Sequence, residues 1–329
     1  MKLLFLVQKE QNNAILDHLY KSVAAHGDCD LRWLDAAEQA NLPRYFREQV
    51  RTECYDRILL SLRFKKILRQ PLFIRSLPNL VFLEYDAWQD FSPGKYKGKF
   101  SAFYRYLPAA RVISSGWQVS RRLQDKGIDA IFVPKGYYQA LLGNLGNSRD
   151  IELGFVGGIK NKAYSERRAM LEAIQARETL TIATTQPGEA YCAMLNRIRF
   201  FISADVGMNE YMIKNFEAMA CGCVLCAFDQ GEAENQKLGF KDMENLVLYK
   251  NVDELQEKLQ RLRAEPAKAD AIAAAGQALV EQEYSYQNIG KRIVEALAPP
   301  LRNNPPPDFG ERLRMRLFGL CATRRFCPV

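Results

Sequence analysis

The hydrophobic positions of the chain fall in short continuous runs that are separated by amphipathic segments. Continuous apolar runs without strict alternation are typical of parallel strands that are covered on both faces. Amphipathic segments such as 14–25 and 118–126 are typical of the helices that cover such strands. The alternation of strand and helix predicts an α/β fold with a doubly wound parallel sheet. In the first half, the predicted strands are 3–7, 31–34, 57–62, 80–84, 110–114 and 130–133.

A polar stretch rich in glycine and asparagine, residues 142–150, interrupts this pattern, and the alternation then begins again at Ile151. We therefore predict two Rossmann-like domains of the same architecture, residues 1–147 and 148–298. Ligands of such sheets bind at the carboxyl ends of the strands, so we expect the two domains to face each other across a ligand-binding cleft. In the second half, the predicted strands start at 151, 180, 200, 223 and 245. The predicted helices are 164–176, one near 191, 212–220, 252–263, 267–282 and 286–297.

Residues 299–329 differ in character from both predicted domains. The segment 299–307 is rich in proline and is typical of an extended linker. Residues 311–320 then alternate arginines with leucine, methionine and phenylalanine. We expect a basic amphipathic helical tail here, which either lies on an anionic membrane surface or packs on its own domain with its arginines in solvent.

Length, composition and charge narrow the class of protein. A chain of 329 residues with 48% hydrophobic residues is long enough for two folded domains and excludes a mainly disordered protein. The net charge is +8, but residues 301–329 carry six arginines against one aspartate and one glutamate, hence +4 of it. The rest of the chain is mildly basic, which argues against a nucleic-acid binder. No apolar run is long enough to span a bilayer or to form a signal-peptide core, so we expect a cytoplasmic protein.

Cysteine and histidine usage argues against a metal centre. Cys221, Cys223 and Cys226 have C-x-C-x-x-C spacing, but they lie in an apolar, strand-like run, which predicts small buried thiols. His18 and His26 are the two histidines of the chain, which argues against a multi-histidine metal site and a serine hydrolase.

The segment 200–226 carries the clearest functional pattern. A buried strand at 200–203 is followed by a glycine-containing loop around Gly207 and by a helix that Gly222 ends. Such a strand, loop and helix start presents backbone N–H groups to an anion, and Lys214 adds a point charge suited to phosphate. Glu217 lies among apolar residues, where an unpaired carboxylate is costly, so we expect it to have a specific hydrogen-bond donor. It is also placed to accept hydrogen bonds from a sugar diol.

The sequence Asn-Phe-Glu-Ala-Met-Ala-Cys-Gly at 215–222 resembles the donor-site signature of GT-B glycosyltransferases of the "glycosyl transferase group 1" type. The run 244–255, Glu-Asn-Leu-Val-Leu-Tyr-Lys-Asn-Val-Asp-Glu-Leu, is similar to the segment that follows in such domains. Phe155-Val156-Gly157-Gly158 resembles the first strand and loop of their C-terminal half, and 110–136 resembles the strand, helix and strand before their interdomain linker.

The resemblance implies a GT-B fold and a donor site for a nucleotide-diphosphate sugar. Glu217 would hold the ribose hydroxyls, and Lys214 with the N–H groups near 207–210 would face the diphosphate. Lys160 or Lys162 would place a second cation on the leaving phosphate, work that a metal does in other transferases, so we expect no metal and no further cofactor. The other donor-binding residues implied are Gly157, Gly158, Gly207, Asn209, Glu210 and Asn215.

The chain departs from the family pattern at the first of two paired carboxylates. That position, eight residues before Glu217, holds Asn209, with Glu210 beside it. On the acceptor side, Asp86 follows a predicted strand and is the candidate to orient or deprotonate the acceptor hydroxyl, with His18 as an alternative base. The family resemblance implies retention of configuration at the transferred sugar.

We therefore predict a glycosyltransferase, of hexosyl type, that moves a sugar from a nucleotide sugar to a glycan or lipid-linked acceptor in the synthesis of a bacterial cell-envelope polysaccharide or lipopolysaccharide. We expect it in the cytoplasm, peripheral on the inner face of the membrane, with no nucleic-acid partner. The alternatives are a sugar-nucleotide epimerase of the same fold and a non-catalytic nucleotide-binding protein. The absence of a G-x-G-x-x-G after the first strand argues against a dinucleotide-binding half.

Overall fold

The computed structural model describes residues 1–9, 14–159, 164–303 and 305–317. The chain divides into two compact units. Unit 1 consists of Met1–Ser115, Val119–Val133 and Gly290–Val329, and unit 2 consists of Gly116–Gln118 and Pro134–Ile289. Residues 134–147, which the sequence places with the first domain, thus lie in unit 2, and 290–298, which it places with the second, lie in unit 1.

Unit 1 is built on a six-stranded sheet in the order β2-β1-β3-β4-β5-β6, in which every pair of neighbours is parallel. Strand β1, which lies between β2 and β3, is an unbroken aliphatic and aromatic run, and its residues 3–7 are at most 3% exposed, as expected of a parallel strand covered on both faces. The strands are β1 Lys2–Gln8, β2 Asp28–Leu34, β3 Arg57–Ser61, β4 Leu80–Glu84, β5 Arg111–Ser114 and β6 Asp129–Phe132.

The helices between these strands alternate with them in chain order, as parallel pairing requires. They are α1 Ala14–Ala25, α2 Ala36–Ala40, α3 Leu42–Gln49, α4 Phe64–Ile67, α5 Pro71–Arg75, α6 Lys99–Arg105 and α7 Trp117–Asp125, with 3-10 turns at Thr52–Cys54 and Ala87–Asp90.

Unit 2 is built on a five-stranded sheet in the order β11-β10-β9-β7-β8, again parallel between all neighbours. The strands are β7 Ile151–Val156, β8 Leu180–Ala183, β9 Ile198–Ser203, β10 Val224–Phe228 and β11 Val247–Tyr249. The helices are α8 Ser165–Gln175, α9 Glu189–Arg197, α10 Ile213–Ala220, α11 Glu232–Leu238, α12 Val252–Ala264 and α13 Pro266–Glu283; α14 Tyr286–Leu297 and α15 Phe309–Leu317 follow.

The predicted α/β fold with two doubly wound parallel sheets is confirmed. Each predicted strand is present with its ends shifted by a few residues at most, and the predicted helices 267–282 and 286–297 correspond to α13 and α14. In the part of the chain that the structure describes, no helix is long and apolar enough to cross a membrane.

Arg111, at the start of β5, fixes the proline-rich segment that follows α14. Its guanidinium is 5% exposed, forms an ion pair with Asp129 at 3.1 Å, and donates to the carbonyls of Ala296, Pro299 and Pro300 at 2.9–3.2 Å. The segment that the sequence predicts to be a linker is therefore held against unit 1 by hydrogen bonds to its backbone.

The tail helix α15 packs on unit 1 by one face. The Glu311 carboxylate lies 3.3 Å from Arg75 Nε and accepts a hydrogen bond from the Tyr106 hydroxyl at 2.7 Å, and Met315 is fully buried. Phe309, Leu313 and Leu317 remain exposed. The described part of the chain extends to Leu317, and residues 318–320 of the predicted tail lie outside it.

We predict that Arg111→Met lowers the free energy of unfolding by about 3 kcal/mol, because it leaves Asp129 and three carbonyls without their charged donor. Chemical denaturation followed by circular dichroism measures this loss. Arg44→Met is the matched control, since Arg44 is 67% exposed and its pair with Glu48 lies on the surface. Equal stability of the two variants would contradict the anchoring role of Arg111.

Candidate functional site

The carboxyl ends of β7 and β9 bring the glycine turn of Gly157 beside the start of α10 in unit 2. Gly157 has φ +155°, a conformation that favours glycine, and its amide donates to Ala183 at 2.9 Å. A Cβ at this position would lie 2.7 Å from Cε of Lys214. The backbone conformation therefore favours glycine here, and any side chain would also require the far end of Lys214 to move. Gly158, by contrast, faces open space.

Lys214 is the second residue of α10, in its first turn, as the sequence predicts. Its Nζ lies 4.9 Å from the ring centroid of Tyr191, within the range of a cation–π contact. Burial lowers the pKa of Lys214, and the nearby Glu217 carboxylate partly opposes that shift. A partly desolvated ammonium group at the carboxyl ends of the strands is suited to an anionic ligand. Burial disfavours the charged form of the lysine, and the negative charge of a bound anion would favour it again.

Glu217 lies one turn further along α10 and is 4% exposed. Its Oε2 accepts a hydrogen bond from the Tyr191 hydroxyl at 2.7 Å, which is the specific donor that the apolar surroundings predict. Burial raises the pKa of Glu217, whereas Lys214 and the Tyr191 hydroxyl favour the ionised form. The expectation of a donor partner is confirmed, but sequence reasoning does not identify Tyr191, which is 26 residues away.

Asp205 organises the loop 204–212 between β9 and α10. Its carboxylate is 2.6 Å from the guanidinium of Arg167 and accepts from the amide of Met212 at 3.1 Å and from Nδ2 of Asn215 at 2.7 Å. Asn215 is fully buried and also donates to the Met212 carbonyl. The amide of Asn215, predicted to bind the donor, is thus engaged in holding the loop. Neither Asp205 nor Arg167 is singled out by the sequence.

Two of the three residues predicted to bind the donor within this loop have a left-handed backbone conformation. Gly207 has φ +74°, and a Cβ there would collide with the carboxylate of Glu166. Asn209 has φ +56°, and its side-chain amide donates to the Gly207 carbonyl at 3.2 Å. Asparagine tolerates this conformation better than most side chains. Both residues therefore shape the turn whose backbone N–H groups the sequence assigns to phosphate.

Glu210 is drawn into the interior of unit 2 and lies 2.8 Å from Lys135 Nζ, with Glu210 1% exposed. Glu234 lies close enough to interact electrostatically with both groups. It is itself fully buried, and it accepts the amides of Trp117 and Gln118 at 3.1 and 2.9 Å. Burial raises the pKa of Glu234 to about 7. Glu210 thus lies in an ion pair at the end of the loop, a contact that its sequence neighbours do not reveal.

In unit 1, Asp86 follows β4 at the start of a 3-10 turn and is exposed. The carboxylate that points inward is Glu84, which accepts from the Tyr104 hydroxyl at 2.7 Å and from the Asp86 amide at 2.8 Å. His18 is half-buried on α1, and burial together with Lys21 lowers its pKa. Of these groups, Asp86 has the carboxylate that solvent reaches.

The remaining predicted residues divide into two groups. Lys160 and Lys162 lie outside the described residues. Cys221, Cys223 and Cys226 are at most 1% exposed, and burial raises the pKa of each thiol, which agrees with the prediction of buried cysteines.

Comparison with known proteins adds to this geometry. Residues 162–295 match a protein-family model described as glycosyl transferase-like. No curated protein matches the sequence. Among solved structures, Anabaena HepE in complex with UDP and glucose is 14% identical with a TM-score of 0.65, over 91% of this chain and 99% of that one.

Two further structures show a similar overlap. A glycosyltransferase from Rickettsia africae is 11% identical with a TM-score of 0.60, over 90% of this chain and 97% of that one. T4 phage β-glucosyltransferase is 11% identical with a TM-score of 0.59, over 91% and 100%. At these identities the likeness concerns the fold.

We predict that Glu234 makes unit 2 less stable as the pH rises from about 4.5 to about 7. A carboxyl whose pKa is higher in the folded than in the unfolded chain holds its proton more tightly when folded, so the stability present at low pH is lost on titration. The shift corresponds to about 3 kcal/mol. In Glu234→Gln this component disappears, which denaturation curves at several pH values measure. The exposed Glu244→Gln serves as control, and parallel pH profiles for wild type and Glu234→Gln would refute the assignment.

Proposed function

We propose that the protein is a glycosyltransferase, which moves a sugar from a nucleotide-diphosphate sugar to a glycan or lipid-linked acceptor. Its GT-B-like fold and the match of residues 162–295 to a glycosyl transferase-like family model support this proposal. The observation that carries the proposal is the buried carboxylate of Glu217 one turn after Lys214, with both side chains in contact with Tyr191. UDP is the first nucleotide to test, because the similar structures of Anabaena HepE and of the T4 phage enzyme are complexes with UDP.

In this proposal Glu217 accepts hydrogen bonds from the ribose hydroxyls of the donor. Its Oε2 is engaged by Tyr191, so Oε1 is the atom that the ribose would meet. A carboxylate that is already desolvated loses little further hydration when the ribose covers it, which favours binding. A ligand without the ribose hydroxyls would leave a buried carboxylate oxygen without a donor, which makes the site selective for them.

The diphosphate of the donor would be met by positive charge and by backbone N–H groups. Lys214 would supply an ammonium group, and the turn 207–210 would supply backbone N–H donors. Lys160 or Lys162 would add a second cation. Negative charge develops on the diphosphate as the glycosidic bond breaks, so groups fixed in this way stabilise the transition state more than the bound donor. The proposal includes no bound metal and no cofactor besides the donor.

The acceptor side of the proposal rests on Asp86. Its exposed carboxylate follows β4, where parallel sheets bind ligands, and it would orient or deprotonate the acceptor hydroxyl. We propose retention of configuration, as the family resemblance implies. The acceptor would belong to a cell-envelope polysaccharide or lipopolysaccharide, built on the cytoplasmic face of the membrane.

A membrane surface fits the tail helix α15. Phe309, Leu313 and Leu317 are 77%, 47% and 72% exposed and recur every four residues, so they form one apolar stripe. At 3.6 residues per turn this stripe is opposite the face that carries Glu311 and Met315 and packs on unit 1. The exposed Arg312, Arg314 and Arg316 flank the stripe on both sides. Apolar side chains between arginines suit the interface of an anionic bilayer.

We predict that Glu217→Gln weakens UDP binding at least tenfold, because a neutral amide accepts hydrogen bonds less strongly than a carboxylate. Isothermal titration calorimetry measures the affinity, after a thermal-shift screen of nucleoside diphosphates has shown which of them bind. Glu172→Gln, at an exposed position of α8, is the control. Unchanged affinity in Glu217→Gln would remove the assignment of this site.

We predict that the triple variant Phe309→Ser, Leu313→Ser and Leu317→Ser loses most of its binding to anionic vesicles. The vesicles contain about 30% phosphatidylserine, to imitate the anionic surface of a cytoplasmic leaflet. Cosedimentation measures the bound fraction. Leu145→Ser removes an exposed leucine from unit 2 and is the matched control. Equal binding of the triple variant and the wild type to these vesicles would reject the membrane role of α15. Equal binding of the wild type to neutral and to anionic vesicles would reject the role of its arginines.

A further inference from the structure

Tyr191 contacts both of the charged residues proposed to bind the donor. It is the third residue of α9 and is 7% exposed. Its hydroxyl donates to Glu217 at 2.7 Å, and the face of its ring lies 4.9 Å from Nζ of Lys214. The edge and the face of one aromatic side chain are thus used by two functional groups of opposite charge.

The chemistry of a buried phenol fits the first contact. Burial and the Glu217 carboxylate raise the pKa of Tyr191 well above its ordinary value, so the hydroxyl keeps its proton and acts as donor. A neutral donor stabilises the carboxylate without neutralising it, because no ion pair forms at Oε2. The hydrogen bond therefore favours the ionised form of Glu217 and fixes the orientation of its carboxylate through Oε2.

The second contact, together with Gly157, restricts the side chain of Lys214. The Cε of the lysine passes over the Gly157 backbone, where a Cβ would lie 2.7 Å away, and its ammonium group lies over the Tyr191 ring. A long flexible side chain between a backbone segment and an aromatic face loses rotamer freedom before any ligand binds. The conformational entropy of this side chain is then lost on folding and not on donor binding, so the site is preorganised.

We propose that Tyr191 is the positioning residue of the donor site, which directs Glu217 toward the 2′,3′-diol of the donor ribose and holds Lys214 toward its diphosphate. This inference rests on the proposed nucleotide-sugar function and adds to it a division of roles within one side chain. The hydroxyl of Tyr191 orients Glu217 for the ribose, and the ring of Tyr191 holds the ammonium group of Lys214 for the diphosphate.

Two substitutions separate these roles in the full-length protein. Tyr191→Phe keeps the ring beside Lys214 and removes the donor to Glu217, and Tyr191→Leu removes both contacts. Tyr284→Phe is the matched control, because Tyr284 is a buried tyrosine of the same unit whose hydroxyl donates to the backbone carbonyl of Leu238 at 2.8 Å. The probes are UDP and 2′,3′-dideoxy-UDP, which differ only in the ribose hydroxyls.

For Tyr191→Phe we expect the dissociation constant of UDP to rise about tenfold and that of 2′,3′-dideoxy-UDP to stay within about twofold of wild type. A tenfold change corresponds to about 1.4 kcal/mol, in the range of a hydrogen bond to a charged group. Tyr191→Leu should weaken both nucleotides. Because the lost O–H donor favoured the ionised carboxylate, its loss raises the pKa of Glu217, and the acid limb of UDP binding should move to higher pH in Tyr191→Phe.

The outcomes distinguish this inference from the proposed function. If wild-type protein binds neither UDP nor any other nucleoside diphosphate, the proposed function fails. If wild type binds UDP and Tyr191→Phe binds it equally well, the positioning role of the hydroxyl is overturned. Equal weakening of UDP and 2′,3′-dideoxy-UDP binding in Tyr191→Phe also overturns it. A merely structural defect would weaken both nucleotides alike, whereas the positioning role predicts a loss that depends on the ribose hydroxyls. Tyr284→Phe should bind both nucleotides as wild type does.

Discussion

The structure of unit 2 depends on keeping negative charge inside a protein interior, which is possible only where each carboxylate meets a donor. Three carboxylates at the carboxyl edge of its sheet satisfy this constraint in different ways. Asp205 pairs with Arg167, Glu210 pairs with Lys135, and Glu217 accepts from the neutral Tyr191 hydroxyl. The two ion pairs hold the loop that precedes α10, whereas the hydrogen-bond partner of Glu217 is a neutral phenol. The same constraint thus divides structural carboxylates from the one suited to a ligand.

The elements of the fold could be predicted from the sequence because the chain repeats one simple pattern. Runs such as 3–7 and 200–203 are apolar on both faces, and that is the requirement for a parallel strand between two layers of helices. The start of α10 and the place of Lys214 in its first turn follow from the same local signals. The short helices α2 to α5 do not, because a segment of four to eight residues is too short to show helical periodicity.

The site could be predicted only in part, for the reason that its contacts are remote in sequence. That Glu217 needs a donor follows from its apolar neighbours, but that the donor is Tyr191 depends on how α9 packs beside α10. Asn215 shows the opposite case: the family motif draws attention to it, and in the structure its amide holds Asp205. Composition likewise predicts a linker at 299–307, since proline content does not reveal that Arg111 binds the backbone there.

The crossing of Lys214 over Gly157 links two positions that are 57 residues apart in the chain. A side chain at 157 would require the far end of Lys214 to move, and the positive φ of the glycine disfavours a side chain there in any case. A shorter residue at 214 meets no such obstacle while the glycine is kept. The constraint therefore acts in one direction: the charge at the helix start can be altered by itself, whereas a change in the turn also affects the lysine.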